Sequence, residues 1–91
     1  MIRRVVRIEN ELGLHARAAA KLVKLTSKFK AQITLSRLNS QTRVDGKSIL
    51  GVLLLAAAEG TDVEIVVDGV DEEAAMMQIL SLLDKNFGEA K

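Results

Sequence analysis

The residues best suited to chemistry lie in the stretch 13–18, where a glycine-bearing turn runs into a predicted helix and carries the only histidine, His15. The first N–H groups of a helix lack intrahelical partners and carry a partial positive charge. We expect the amides of Ala16, Arg17 and Ala18 to face an anion on the imidazole, which is nucleophilic near neutral pH. The stretch therefore predicts a phosphoryl-binding corner. The alternative is a surface histidine without a role.

A row of cations follows the histidine. Arg17, Lys21, Lys24 and Lys28 are spaced four, three and four residues apart, which keeps them within an arc of roughly 60° on a helix. We call these four residues the basic ridge. Arg17 offers a planar fork of donors that matches phosphate oxygens, which a lysine would not reproduce. The ridge predicts either a docking face for acidic partners or an ordinary solvated helix face.

A second candidate is Ser48, which precedes a short apolar segment and is predicted to cap a helix there. The preceding Gly-Lys resembles the end of a P-loop, but that motif needs a glycine at position 41, where the chain has Gln41, so nucleotide binding is excluded. The apolar segment is predicted to be partly core and partly an exposed patch. The predicted docking residues are Lys24, Lys28, Lys47, Ile49, Leu50 and Leu53.

Composition limits the remaining classes of function. The 91 residues predict one domain, 1–91, with a net charge of +1 and two phenylalanines as the only aromatic residues, which disfavours a nucleic-acid-binding module. With no cysteine and one histidine, we expect no disulfide, no metal site and no cofactor. The longest apolar run, residues 52–58, is too short to span a membrane. No secretory leader is recognisable, and a cytoplasmic location is expected.

Hydrophobic periodicity predicts the elements that position these residues. The order is β-α-β-β-α-β-α, which favours two layers, a sheet with helices on one face. Asp71 is predicted to cap the last helix and Gly88 to end it. Periodicity alone leaves the strand order open. The predicted strands are 4–9, 31–35, a short strand through 44, and 62–68, and the predicted helices are 16–28, 49–56 and one that begins after 71.

The chain resembles the HPr family of histidine-containing phosphocarrier proteins of the bacterial phosphoenolpyruvate-dependent sugar phosphotransferase system. The resemblance covers essentially the full length. It rests on Gly-Leu-His-Ala-Arg at 13–17, Lys-Ser-Ile-Leu-Gly-Val at 47–52, and Phe-Gly-Glu at 87–89. It implies an α+β fold, an open-faced β-sandwich with an antiparallel four-stranded sheet in the order 1-4-2-3 and three helices on one face.

The resemblance also implies a role. The family's histidine, here His15, accepts a phosphoryl group on Nδ1 from phosphorylated enzyme I and passes it to enzyme IIA components, assisted by the arginine that matches Arg17. Such a protein is a carrier rather than an enzyme, and the family precedent is a monomer. In some bacteria a dedicated kinase phosphorylates the serine that matches Ser48. The alternative function is a regulatory binding module controlled at Ser48 without obligatory relay.

One position departs from the family pattern. Proline usually follows the arginine, whereas this chain has Ala18. Alanine keeps an N–H group and a free φ where proline has neither. We predict that transfer survives, because the acceptor ring and the helix amides do not depend on proline. The departure leaves open whether the chain serves sugar transport or a regulatory circuit.

Overall fold

The computed structural model describes residues 1–89. Within this range the elements follow the predicted order, with one 3₁₀ turn added at the end. No helix of these residues is long and apolar enough to cross a membrane. The elements are β1 (Ile2–Arg7), α1 (Ala16–Thr26), β2 (Gln32–Arg37), β3 (Val44–Asp45), α2 (Ile49–Leu55), β4 (Asp62–Asp68), α3 (Glu72–Asp84) and the turn Asn86–Gly88.

The strands form one antiparallel sheet in the order β1-β4-β2-β3. β4 lies in the centre, where Val67 pairs with Ile2 of β1 and with Ile33 of β2. Pairing with β4 explains why β1 begins at Ile2, two residues before the predicted start. The three helices and this strand order confirm the α+β open-faced sandwich.

The core lies between the helices and one face of the sheet. The alternation in β4 places Val63, Ile65 and Val67 in the interior, because successive side chains of a strand point to opposite faces. From α1, Ala19 and Leu22 pack into the same core. The start of α1 is therefore held against the sheet by its apolar face, and its other face is left to solvent.

The helices α1 and α2 run antiparallel to one another. Just before α1, the N–H of Leu14 donates to the carbonyl of Ala57, which follows α2, at 2.9 Å. At the other end of α1, the buried Thr26 hydroxyl donates to the carbonyl of Gly46, which precedes α2, at 2.7 Å. The start of α1 thus lies beside the end of α2, and the end of α1 lies beside the start of α2.

The structure bears out one prediction about α3 in part and corrects another. Asp71 is the N-cap residue of α3, as predicted, but its side chain makes no bond to the helix. Its carboxylate instead accepts from the N–H groups of Lys30 and Ala31, both at 2.8 Å, and these bonds, that of Lys30 first, lower the pKa of Asp71. α3 ends at Asp84 rather than Gly88, and the chain is in the left-handed conformation from Asn86 to Gly88, which a continuing α-helix does not allow.

Candidate functional site

His15 is the N-cap residue of α1. Its backbone is extended, with φ −79° and ψ 179°, and its carbonyl accepts the first helical bond from Ala19 at 2.8 Å. Its Nδ1 accepts from the N–H of Arg17 at 3.3 Å, a bond that normally comes from a Ser, Thr, Asp or Asn cap. The imidazole is 26% exposed. The ring nitrogen expected to carry phosphate therefore already faces a helix amide.

The other ring nitrogen contacts an acid from the far end of the chain. Nε2 of His15 lies 2.5 Å from Oε2 of Glu89, and the Glu89 side chain is only 10% exposed. Since an ionised carboxylate only accepts hydrogen bonds, the hydrogen lies on Nε2. The ring is thus held from both sides, by an amide at Nδ1 and a carboxylate at Nε2.

A buried asparagine holds this carboxylate in place. The Asn10 amide group donates to Oε1 of Glu89 at 3.0 Å and to the carbonyl of Gly13 at 2.8 Å. Burial acts to raise the pKa of Glu89, but the hydrogen bonds from Asn10 and His15 outweigh it, so that this pKa lies below its ordinary value. The carboxylate is therefore ionised at neutral pH. Asn10 links it to the turn that leads into His15.

The turn that carries Glu89 is anchored to α1. Phe87 is buried in the core, with 1% exposure, and its carbonyl accepts from Nζ of Lys21 at 2.6 Å. Lys21 is therefore engaged in holding this turn, whereas the sequence placed it on the basic ridge only. The remaining ridge lysines, Lys24 and Lys28, are exposed. Lys28 lies beyond the end of α1, which stops at Thr26.

An open groove of about 410 Å³ lies next to Glu89, the residue that contacts the ring. Its lining includes Glu11, Arg17, Lys21 and Glu89. The Arg17 side chain is exposed and forms no hydrogen bond or ion pair with other residues of the range 1–89. The guanidinium is therefore available to an anion in this groove. The amide groups of Ala16, Arg17 and Ala18 belong to the first turn of α1, as predicted.

Ser48 lies at the other end of the helical layer. It is the N-cap of α2, and its Oγ accepts from the N–H of Gly51 at 3.1 Å. Because α1 and α2 are antiparallel, Ser48 lies toward the end of α1. At 1.5 Å per residue it is roughly 10–16 Å along the helices from His15, the lower figure from the length of α2 and the upper from that of α1. Lys47 is half-buried, and its Nζ donates to the carbonyl of Phe29 at 2.6 Å. The structure therefore separates His15 from Ser48.

The apolar docking residues are exposed on α2. Leu50 is 67% exposed, and Ile49 and Leu53 are exposed to a smaller extent. Leu54, which was not among the predicted docking residues, is 71% exposed on the same helix. These four residues, with the exposed Leu12 of the turn before His15, are called the apolar patch below.

Asn10 and Glu89 were missed as site residues. The contacts of Glu89 with His15 and with Asn10 join positions far apart in the chain, 74 residues in the case of His15. Hydrophobic periodicity reports only on near neighbours. The available signal was the Phe-Gly-Glu motif at 87–89, which served only to support the resemblance. No group of three His, Cys, Asp or Glu side chains within residues 1–89 is placed to hold a metal ion.

Comparison with known proteins identifies the family. Residues 2–85 match the family model described as "PTS HPr component phosphorylation site". The phosphocarrier protein HPr of Neisseria meningitidis serogroup A is 43% identical over 91 residues, and that of Cupriavidus necator is 47% identical over 91 residues, with both chains covered completely in each case.

Solved structures agree with this match. HPr-C-His from Thermoanaerobacter tengcongensis superimposes with a TM-score of 0.93 at 37% identity, with both chains fully covered. The family model, the full-length relatives and the shared fold all lead to the same result. This chain belongs to the HPr family of phosphocarrier proteins of the phosphotransferase system.

Proposed function

We propose that this chain accepts a phosphoryl group on Nδ1 of His15 from phosphorylated enzyme I and passes it to enzyme IIA components, in sugar transport or in a related regulatory relay. The chain acts as acceptor and donor and has no turnover of its own. Its partners supply the catalytic groups. The proposal also places the chain in the cytoplasm.

One observation carries this proposal. Nδ1 of His15 is held at the start of α1, within hydrogen-bond reach of the Arg17 amide, on a ring that remains partly exposed. An acceptor nitrogen held at the first N–H groups of a helix suits an incoming phosphoryl group, since these groups and the helix dipole stabilise its negative charge. Phosphoryl transfer depends mainly on such positioning and charge stabilisation.

Arg17 is proposed to stabilise the bound phosphate. Its exposed side chain lines the groove next to Glu89, and a guanidinium can donate two parallel hydrogen bonds to phosphate oxygens. The N–H of Arg17, which donates to Nδ1 in the free chain, would then donate to a phosphate oxygen. We expect Arg17→Lys to lower the transfer rate, because an ammonium cannot reproduce this fork.

The test is incubation with phosphoenolpyruvate and enzyme I. We expect one phosphate per chain that is acid-labile and base-stable, and that is absent from His15→Ala. Ala18→Pro is the matched control for the departure from the family, because the N–H at this position of the first turn has no intrahelical partner to lose. If Ala18→Pro is labelled and the native chain is not, our expectation for Ala18 is wrong. Failure of both to accept phosphate contradicts the proposed function.

The apolar patch and the lysines of the basic ridge are proposed to dock these partners. Exposed leucines rimmed by cations fit a partner surface that is partly hydrophobic and acidic. Substitution of Leu50 or Leu54 by serine should weaken binding to enzyme I without affecting the imidazole. The matched control is Val70→Ser on the loop before α3, because Val70 is 90% exposed and lies outside the patch. Equal effects in the patch and control variants would contradict this docking surface.

Ser48 is proposed as a regulatory phosphorylation site, the feature on which the alternative binding-module function depends. Its Oγ already caps α2, and a phosphate there would gain the favourable field of a helix N-terminus while adding about two negative charges next to Ile49. Incubation with a serine kinase of this system and ATP, followed by mass spectrometry, tests the site. Labelling at another residue, or none, would rule it out.

The chain is proposed to act as a monomer. One relative, HPr from Thermoanaerobacter tengcongensis, has been solved as a dimer, so light scattering across a range of concentrations should accompany the transfer assay. A constant mass of one chain supports the proposal. A stable dimer at assay concentrations contradicts it.

A further inference from the structure

The turn that brings Glu89 to His15 has an unfavourable backbone that the surrounding structure holds in place. Asn86, Phe87 and Gly88 have φ values of 53°, 57° and 75°, and the left-handed region is disfavoured for residues with a Cβ atom. The buried ring of Phe87 and the bond from Lys21 to its carbonyl compensate. Strained backbone of this kind occurs preferentially at functional sites.

Two independent contacts assign the same tautomer to the imidazole. The carboxylate of Glu89 at Nε2 requires a hydrogen on that nitrogen, and the N–H of Arg17 at Nδ1 requires a lone pair on the other. A lone pair on Nδ1 is what a phosphoryl acceptor needs. Glu89 is in turn fixed by Asn10, which donates to its second oxygen.

We propose that Glu89 is a positioning residue for phosphoryl exchange, which holds His15 with its hydrogen on Nε2 and serves as the counter-ion when Nδ1 carries phosphate. This inference rests on the proposed function of His15. It adds a carboxylate partner, held by Asn10 and the anchored turn, to the acceptor and the helix amides.

The transfer step accounts for every bond and electron pair without the movement of a proton. The lone pair of Nδ1 forms the new N–P bond while the donor's bond to phosphorus breaks, and that electron pair leaves with the donor. The ring then carries phosphorus on Nδ1 and hydrogen on Nε2, so it is a cation beside the Glu89 carboxylate. In the reverse step the electron pair of the N–P bond returns to Nδ1, and the ring leaves as a neutral imidazole.

Glu89 should therefore assist release more than acceptance. If the phosphorylated ring lost the hydrogen on Nε2, the leaving group would be an imidazolate, which is much less stable than a neutral imidazole. A carboxylate at this distance keeps the hydrogen on Nε2 by stabilising the cation. The other charged groups that line the groove are Glu11, Arg17 and Lys21, and Lys21 is engaged with Phe87.

The experiment compares Glu89→Gln with the matched control Glu11→Gln in the phosphorylated full-length chain. Both variants remove one carboxylate from the same groove, but Glu11 is exposed and has no hydrogen bond to the ring among residues 1–89. The ring nitrogens are followed by ¹⁵N NMR as the pH is raised, and transfer to an enzyme IIA is timed at pH 8. Glu89→Asp, which keeps the charge on a shorter side chain, tests for partial rescue.

We expect Glu89→Gln to lose the Nε2 hydrogen of the phosphorylated ring at lower pH and to transfer about tenfold more slowly at pH 8, by analogy with the carboxylates that orient metal-bound imidazoles. Glu11→Gln should resemble wild type, and Glu89→Asp should lie between the two. Circular dichroism establishes that each variant is folded.

Three results would overturn the proposal. The first is a wild-type ring with its hydrogen on Nδ1 before phosphorylation. The second is Glu89→Gln and Glu11→Gln behaving alike in a chain that accepts phosphate, and the third is Glu89→Asp transferring no faster than Glu89→Gln. If the wild-type chain takes no phosphate at all, the proposed function has failed instead, and the tautomer measurement on the free chain still tests the role of Glu89.

Discussion

Gly13 fixes the approach of the chain to His15, and replacing it with alanine should destabilise the protein through backbone contact. Gly13 has φ +63°, and a Cβ atom there would lie 2.6 Å from the carbonyl oxygen of Ala57 and 2.8 Å from Cα of Ala58. Both are backbone atoms, so no side-chain rotation relieves the contact. The Ala57 carbonyl also accepts from the N–H of Leu14, and any shift would disturb this bond.

The magnitude has two parts. A left-handed alanine costs about 1–2 kcal/mol, and forced overpacking adds about 1–3 kcal/mol, so Gly13→Ala should lower the free energy of unfolding by about 2–5 kcal/mol. Gly60 is the matched control, since it has φ +86° and a Cβ atom there would meet nothing within 4 Å. Gly60→Ala should lower the free energy of unfolding only by the cost of a left-handed alanine, about 1–2 kcal/mol.

Urea unfolding followed by far-ultraviolet circular dichroism measures both variants, because the chain has no tryptophan or tyrosine to report by fluorescence. Each additional 1 kcal/mol should lower Tm by about 4–8 °C in a domain of this size. Phosphate uptake should fall in Gly13→Ala and persist in Gly60→Ala, since only the former moves the His15 turn. Equal losses of stability in the two variants would refute the steric argument.

Three further predictions concern other contacts. Replacing Lys24 and Lys28 with glutamate should slow phosphate uptake from enzyme I at low salt and have less effect at high salt. Exposed charges accelerate the association of two proteins, and salt screens them. An unchanged rate at low salt would contradict electrostatic steering by these lysines. Asp71→Asn should be less stable than wild type at pH 7 in urea unfolding. Because the pKa of Asp71 is lowered by folding, its stabilisation is present above its ordinary value of 3.8 and is lost as the pH falls through the folded pKa, so the two proteins should converge in acid. Thr26→Val removes the buried bond to the Gly46 carbonyl and should cost about 1–3 kcal/mol in the same assay, with Thr42→Val at an exposed position as the control.

The local sequence pattern was sufficient to predict those elements in which buried and exposed residues alternate with a simple period. The alternation of β4 predicts its bounds, Asp62–Asp68, as the structure has them, and Ser48 caps α2 as predicted. Strand order came from the family resemblance, because periodicity reports which face a residue takes and not which strand lies beside it. β3 is only two residues long, too short to show an alternation of its own.

Contacts between distant positions account for the errors. Asp71 has the residue type of a helix cap, but two N–H groups about forty residues away compete for its carboxylate. Glu89 reaches His15 only because a turn with three left-handed residues redirects the chain after α3. Neither partner is visible in a window of neighbouring residues, since each depends on how the completed fold brings the segments together.

The antiparallel arrangement of α1 and α2 has a consequence for signalling. It places His15 and Ser48 roughly 10–16 Å apart along the helical layer, from the lengths of α2 and α1 at 1.5 Å per residue, which is more than the roughly 8 Å over which charges are screened at physiological ionic strength. A phosphate on Ser48 would therefore act on the imidazole only through a weakened field. The main route of communication would be a visiting protein broad enough to touch both positions, so that the response to Ser48 depends on which visitor is bound.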